Sequence, residues 1–232
     1  MERYEDFLMR VSAFEVAEID LGKSYFRGRA SLGDKIDGEN RLKPFYGDTV
    51  VFDLDEAVKN RISHIVDKLY SAAGDCLAER LSSSTLHMTL HDLSNGGDFD
   101  SVRGKMAENE EKIRRVSLPS RTIRMRSTFV FNMVNTSLVL GLVPADEGEY
   151  EKLMELYEVF DGILPSKYPL TPHITLAYFC LCGFGDEAKE RLRAAVNEIN
   201  KGAQFEIVLD TKRLYYQHFF SMNDYRNVIN FE

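Results

Sequence analysis

Two pairs of side chains in this sequence could do chemistry together: His87 with Thr89, and His173 with Thr175. Each pair belongs to the same tetrad, His-x-Thr-Leu, at residues 87–90 and 173–176. Around both copies apolar and polar residues alternate (Leu86, Met88 and Leu90 against His87 and Thr89; Ile174 and Leu176 against His173 and Thr175), which is the pattern of a half-buried strand. A period of two puts His and Thr on one face, about 6.6 Å apart along the strand, with the apolar residues facing a core. An imidazole and a hydroxyl would therefore point the same way, twice. Two imidazoles opposed across one reacting group can divide acid-base work, one taking a proton from water and the other giving one to a leaving oxygen. Histidine suits both roles because its ordinary pKa, near about 6.5, leaves both forms accessible at neutral pH. The hydroxyls are better donors than bases, and a phosphodiester offers two non-bridging oxygens, one for each Thr. A single histidine on a strand is more often structural; the repetition turns the reading toward function.

The elements that must position these residues follow from periodicity and breakers. Strands are expected at 49–54 and around His87, a turn at 95–97, strands at 121–133 and 136–143, a strand around His173, and strands at 204–209 and 213–220. Helices are expected at 55–73, with Asp55 as cap, at 98–116, within 144–160 and at 186–200. Strand, helix, motif strand, helix, strand thus occurs twice. Corresponding points are offset by 88 residues (48 to 136), 86 (87 to 173) and 88 (98 to 186). The expectation is one domain over 48–232, built from two degenerate repeats at about 48–135 and 136–220 that face each other across a groove. Residues 1–47 form an extension: an amphipathic helix within 2–20, then a glycine-punctuated loop from Gly22 to Gly47, long enough to cover a site. Gly22-Lys23-Ser24 lacks the earlier glycine of a phosphate-binding P-loop.

Composition sets limits on partners. Hydrophobic residues at 44% and charged residues at 28% are those of an ordinary folded domain. Acidic residues punctuate the first twenty positions and nowhere do eighteen uncharged apolar residues run together, so a cytoplasmic, non-membrane protein is expected. A net charge of −8 argues against gripping long nucleic acid, which needs many cations on phosphates, but not against a small anion in a locally positive pocket. Arg121, Arg124, Arg126, Lys167, Lys212 and Arg213 are candidates for such a pocket, although a solvated surface is the commoner place for any one of them. Cys76, Cys180 and Cys182 are too few for a disulfide framework and read as buried thiols rather than as metal or redox groups.

Paired His-x-Thr-Leu motifs 86 residues apart on strands of a duplicated α+β chain resemble the 2H phosphoesterase superfamily, the LigT-like and 2′-5′ RNA ligase-like proteins. The resemblance covers roughly 48–220. It implies a bilobal α+β fold of two antiparallel sheets flanked by helices around a central cleft, and metal-independent hydrolysis of a 2′,3′-cyclic phosphate or a short 2′-linked phosphodiester at a nucleotide or RNA end. No metal and no other cofactor is implied. Carried over by residue, His87 and His173 are the acid-base pair, with Thr89 and Thr175 on the phosphate; which His is acid and which is base does not transfer. The alternative is a nucleotide-binding module that keeps the groove with little catalysis. A monomer is expected, and the extension at 1–47 has no counterpart in the resemblance.

Further groove candidates are His91, Tyr168 and Arg126. His91 follows His87 by four residues, a metal-pair spacing on a helix, but on a strand the two lie about 13 Å apart, too far to share an ion. Tyr168 and Phe179 could stack a base, although packing is the commoner role for each. His64 and His218 read as structural.

Overall fold

The apolar run from Val50 to Phe52 forms the centre of strand β1 (Tyr46–Asp53), buried on both faces. Asp55 then caps helix α2 (Glu56–Ala73) by accepting a hydrogen bond from the Val58 amide, as its position in the sequence predicts. In a computed structural model that describes residues 2–16 and 18–231, the elements follow in the expected order. They are α1 (Tyr4–Ser12), β1, α2, β2 (His87–Gly96), α3 (Phe99–Ile113), β3 (Thr122–Met133), β4 (Ser137–Pro144), α4 (Glu147–Asp161), β5 (His173–Tyr178), α5 (Asp186–Asn200), β6 (Glu206–Asp210), β7 (Leu214–Ser221) and β8 (Asp224–Asn230). Asp98 and Asp146 cap α3 and α4 in the same way as Asp55 caps α2. The expected N-terminal helix is shorter than the 2–20 window, ending at Ser12; Ala17, within that window, lies outside the described residues. Strand β8 has no counterpart in the sequence expectation.

The fold is α+β, but the two sheets implied by the resemblance are joined. All eight strands form one antiparallel sheet in the order β6-β3-β4-β5-β2-β1-β7-β8. The joint is narrow: β2 and β5 share a single bridge pair, Met88 opposite Ile174, whereas their outer neighbours are paired along most of their length. The halves also exchange strands. β3, which follows α3 in the chain, pairs with β4 and β6, while β7 returns to pair with β1.

Met88, Leu90, Ile174 and Leu176 are fully buried, and with the apolar faces of α2 to α5 they form one core. Both motif strands carry an irregularity at the same place. Val51 pairs with Thr89 but Val50 pairs with His91, so Leu90 is an extra residue; Val139 pairs with Thr175 but Leu138 with Ala177, so Leu176 is extra. Such a bulge breaks the period of two and exchanges the faces of the residues beyond it.

The segment between α1 and β1 is ordered by its few apolar residues. Phe26 pairs with Phe184 through backbone hydrogen bonds and stacks on its ring, while Leu32 and Ile36 are buried. Gly183 makes this docking feasible: its φ is +71°, and a Cβ there would lie 2.2 Å from the Phe26 carbonyl oxygen. Among the described residues, no helix is long and apolar enough to cross a membrane.

Candidate active site

The antiparallel sense of the β2–β5 joint decides how the two motifs meet. With Met88 opposite Ile174, His87 lies across from Thr175, and Thr89 across from His173. The two histidines are thus diagonal neighbours, which a regular ladder separates by about 7–8 Å. All four side chains point away from the core and line one cleft of about 560 Å³. Such a volume is typical of small-molecule sites.

Each imidazole is held by the same device. His87 Nδ1 lies 2.7 Å from the Thr85 carbonyl oxygen and His173 Nδ1 2.7 Å from that of Thr171. A carbonyl can only accept, so Nδ1 carries the proton in both rings, and in the neutral form the lone pair is on Nε2. The tautomer and ring orientation are therefore set by backbone two residues upstream. Burial drives the pKa of His87 down to about 4; the hydrogen bond to Thr85 opposes this, and the charge of His173 adds to it. His173 is also lowered, again by burial first, with the Thr171 hydrogen bond and Asp92 opposing and Lys35 assisting.

The remaining wall comes from segments that the sequence pattern does not single out. Lys35, in the segment before β1, is the one Lys or Arg among the described lining residues. Its ammonium sits 5.1 Å from the Phe45 ring centre and 5.2 Å from that of Tyr178. The main chain around it is pinned by the Ile36–Leu42 bridge and by the Lys43 amide donating to the Lys35 carbonyl. Tyr225, on β8, packs edge-on against His87 at 5.0 Å between ring centres. Burial raises its phenol well above the usual range, so it stays protonated. Asp92 and Tyr178 occupy equivalent places in the two strands, five residues beyond each motif histidine, and both line the cleft. The sequence contained that signal, since 92 and 178 share the 86-residue offset, but reading it requires the bulge.

The bulge also removes His91 from the groove. His91 is buried on the opposite face, against Tyr157 and 3.3 Å from Asp161 Oδ1 on α4, with Nδ1 lacking a hydrogen-bond partner. Arg126 and Tyr168 do not line the cleft either. Arg126 projects from β3, which the strand exchange places two strands away from β5, and Tyr168 is 74% exposed on the loop before β5. Nor do the other basic candidates reach it: Arg121 pairs with Glu155, Arg124 pairs with Asp146 and Glu149, and Lys167, Lys212 and Arg213 lie outside the lining. Phe179 is core, packed on Phe26 and Phe184. His64 is exposed on α2, and His218 contacts Tyr216 and Glu110. Cys76 and Cys180 are buried thiols, each raised to about 12 by burial, but Cys182 is exposed because β5 ends at Tyr178 and the chain turns outward.

No family model and no curated protein matches the chain. Among solved structures it is similar to the conserved protein of unknown function ATU0111 from Agrobacterium tumefaciens str. C58, at 17% identity and a TM-score of 0.71, covering 96% of this chain and 99% of that one. It is also similar to TT0787 of Thermus thermophilus (15% identity, TM-score 0.48, 78% and 94% covered). A further match is E. coli LigT complexed with ATP (16% identity, TM-score 0.46, 81% and 96% covered). The chain thus has the fold of ATU0111 over nearly its whole length, and E. coli LigT stands among its structural neighbours.

Proposed function

We propose that the chain is a phosphodiesterase of the 2H type, hydrolysing a 2′,3′-cyclic phosphate or a short 2′-linked nucleotide diester without a metal. The observation that carries this reading is the pair of equivalent imidazoles on one cleft, each with Nδ1–H tied to a main-chain carbonyl and Nε2 left for proton transfer. Thr89 and Thr175 donate to the two non-bridging oxygens, and Lys35 supplies the positive charge that an anion needs there. One imidazole accepts the proton of the attacking water while the other, protonated, delivers one to the leaving oxygen. Both rings are depressed in the free protein, so the acid form depends on the substrate: a phosphodiester anion between them favours the imidazolium and raises its pKa.

The test is turnover of 2′,3′-cyclic nucleotides and of short 2′-5′- and 3′-5′-linked oligonucleotides in EDTA. Hydrolysis is expected, and His87→Ala or His173→Ala should abolish it. Turnover that requires metal, or that survives both substitutions, overturns the proposal. Saturable nucleotide binding with no turnover of any diester points instead to a binding module on the same groove.

A further inference from the structure

We infer that the substrate is a linear diester, and that a second recess behind His87 holds one of its arms, a neutral hydrogen-bonding group of nucleoside size. This rests on the reading of the cleft as a phosphodiester site. The recess has a volume of about 410 Å³ and shares three walls with the cleft, Thr85, His87 and Tyr225. The imidazole thus borders two spaces, and a diester held at His87 can send one substituent into each. A five-membered cyclic phosphate cannot, because both of its ester oxygens return to one ribose.

The lining states what kind of arm fits. Lys59, the one Lys or Arg among its described residues, is already neutralised by Asp53 at 2.7 Å, and Asp224 is paired with Arg226. No spare positive charge is present for a second phosphate. Amide side chains make up much of the rest. Asn223 is committed to the backbone, accepting from the Ser82 amide and donating to the Arg80 carbonyl. Gln217 is only half committed: its Nε2 donates to Asn227 Oδ1 at 2.6 Å, but its Oε1 is buried without a partner. Tyr215 and Asn227 line the same recess, their hydroxyl and amide Nδ2 without a partner among the described residues, and the unpaired Gln217 Oε1 lies beneath; an arm that both donates and accepts, such as a base or a ribose, matches this lining.

The opposite side of the site offers no equivalent. Asp53 and Thr85 correspond by offset to Gly141 and Thr171, and these two line a recess of about 320 Å³ that does not reach His173. Leu8, Val11 and Phe14 from the N-terminal segment wall it instead, with Arg10 Nη1 bonded to Thr171 Oγ1 at 3.0 Å. Helix α1 therefore closes one of two related positions and leaves the polar one, beside His87, in use.

The experiment compares kcat/KM for 2′-5′-linked adenylyl-adenosine with that for 2′,3′-cyclic AMP in the wild type, in Gln217→Leu and in Asn227→Ala, the last on an exposed position should the first fail to fold. The ratio of linear to cyclic activity is expected to fall about tenfold, the effect of one hydrogen bond. A ratio that does not change in either variant overturns the inference. If the wild type hydrolyses neither compound, the catalytic reading fails and the recess is judged by calorimetric titration. Binding of a phosphorothioate-linked adenylyl-adenosine about tenfold tighter than AMP, lost in the variants, supports the subsite; equal affinity for the two ligands overturns it.

Discussion

Burial of His87 gives the chain a pH-dependent stability that can be calculated in advance. The folded-state pKa is about 4, against an ordinary value of about 6.5 in the unfolded chain. Because the folded value is the lower, the unfolded state binds the proton more readily, and stability falls as pH drops below about 6.5 until the folded ring also titrates near 4. At about pH 5 nearly all unfolded molecules carry the proton and few folded ones do, so linkage gives a loss of up to about 2 kcal/mol relative to pH 8. Water reaching the half-buried ring reduces this figure, while His173, lowered for the same reason, adds to the total in the same direction. The assay is urea unfolding across pH 4.5 to 8 for the wild type and for His87→Asn, whose side-chain amide can still donate to the Thr85 carbonyl but does not titrate. The wild type should lose about 1–2 kcal/mol more than the variant between pH 8 and pH 5. Parallel curves would show that the imidazole is not desolvated, and would remove the basis for a substrate-induced acid.

Further outcomes follow from individual contacts. On the proposed function, Thr89→Val and Thr175→Val each remove a hydrogen bond to a charged substrate oxygen and should lower kcat/KM by about 10- to 100-fold with little change in urea midpoint, as steady-state kinetics beside unfolding curves will show. Lys35→Met should raise KM for an anionic diester more than it lowers kcat, and flatten the dependence of KM on salt. His91→Leu should leave kcat/KM within about twofold while shifting the unfolding midpoint, because its side chain contacts α4 rather than the cleft. Asp55→Ala removes the cap of α2 and should cost about 1 kcal/mol in the same unfolding assay.

What could be read from the sequence was local. Helices α2 to α5 and strands β1 to β7 lie near their expected positions because their apolar periodicity is strong and Asp55 and Asp98 mark the starts of α2 and α3. Placing His87 with Thr89, and His173 with Thr175, on one face of each strand needed only an alternation of two, which the sequence displays; bringing the two pairs to one cleft rested on the internal repeat. His91 was misplaced because a bulge leaves no signature in residue types: Leu90 reads as the next core residue whether or not it is the extra one. Strand β8 was missed because Asp224-Tyr225-Arg226-Asn227 shows no alternation, as befits an edge strand with much of its surface in water. Lys35 lay in a segment with no periodicity to read. The joining of the sheets and the exchange of β3 and β7 were beyond reach for a different reason, since periodicity reports which face a strand buries and not which strand lies beside it.

That exchange has a consequence for how the molecule is made. As the chain leaves the ribosome, β1 and β2 appear early, yet the free edge of β1 waits for β7, whose first pairing partners begin at Leu214, more than 160 residues later. Until then an apolar strand edge is open to improper pairing, and the Tyr225 wall beside His87 does not exist. Folding of the β1–β2 region is therefore slaved to a strand translated long after it, so nascent chains stalled before β7 should depend on holdase chaperones and lack the wall that completes the cleft.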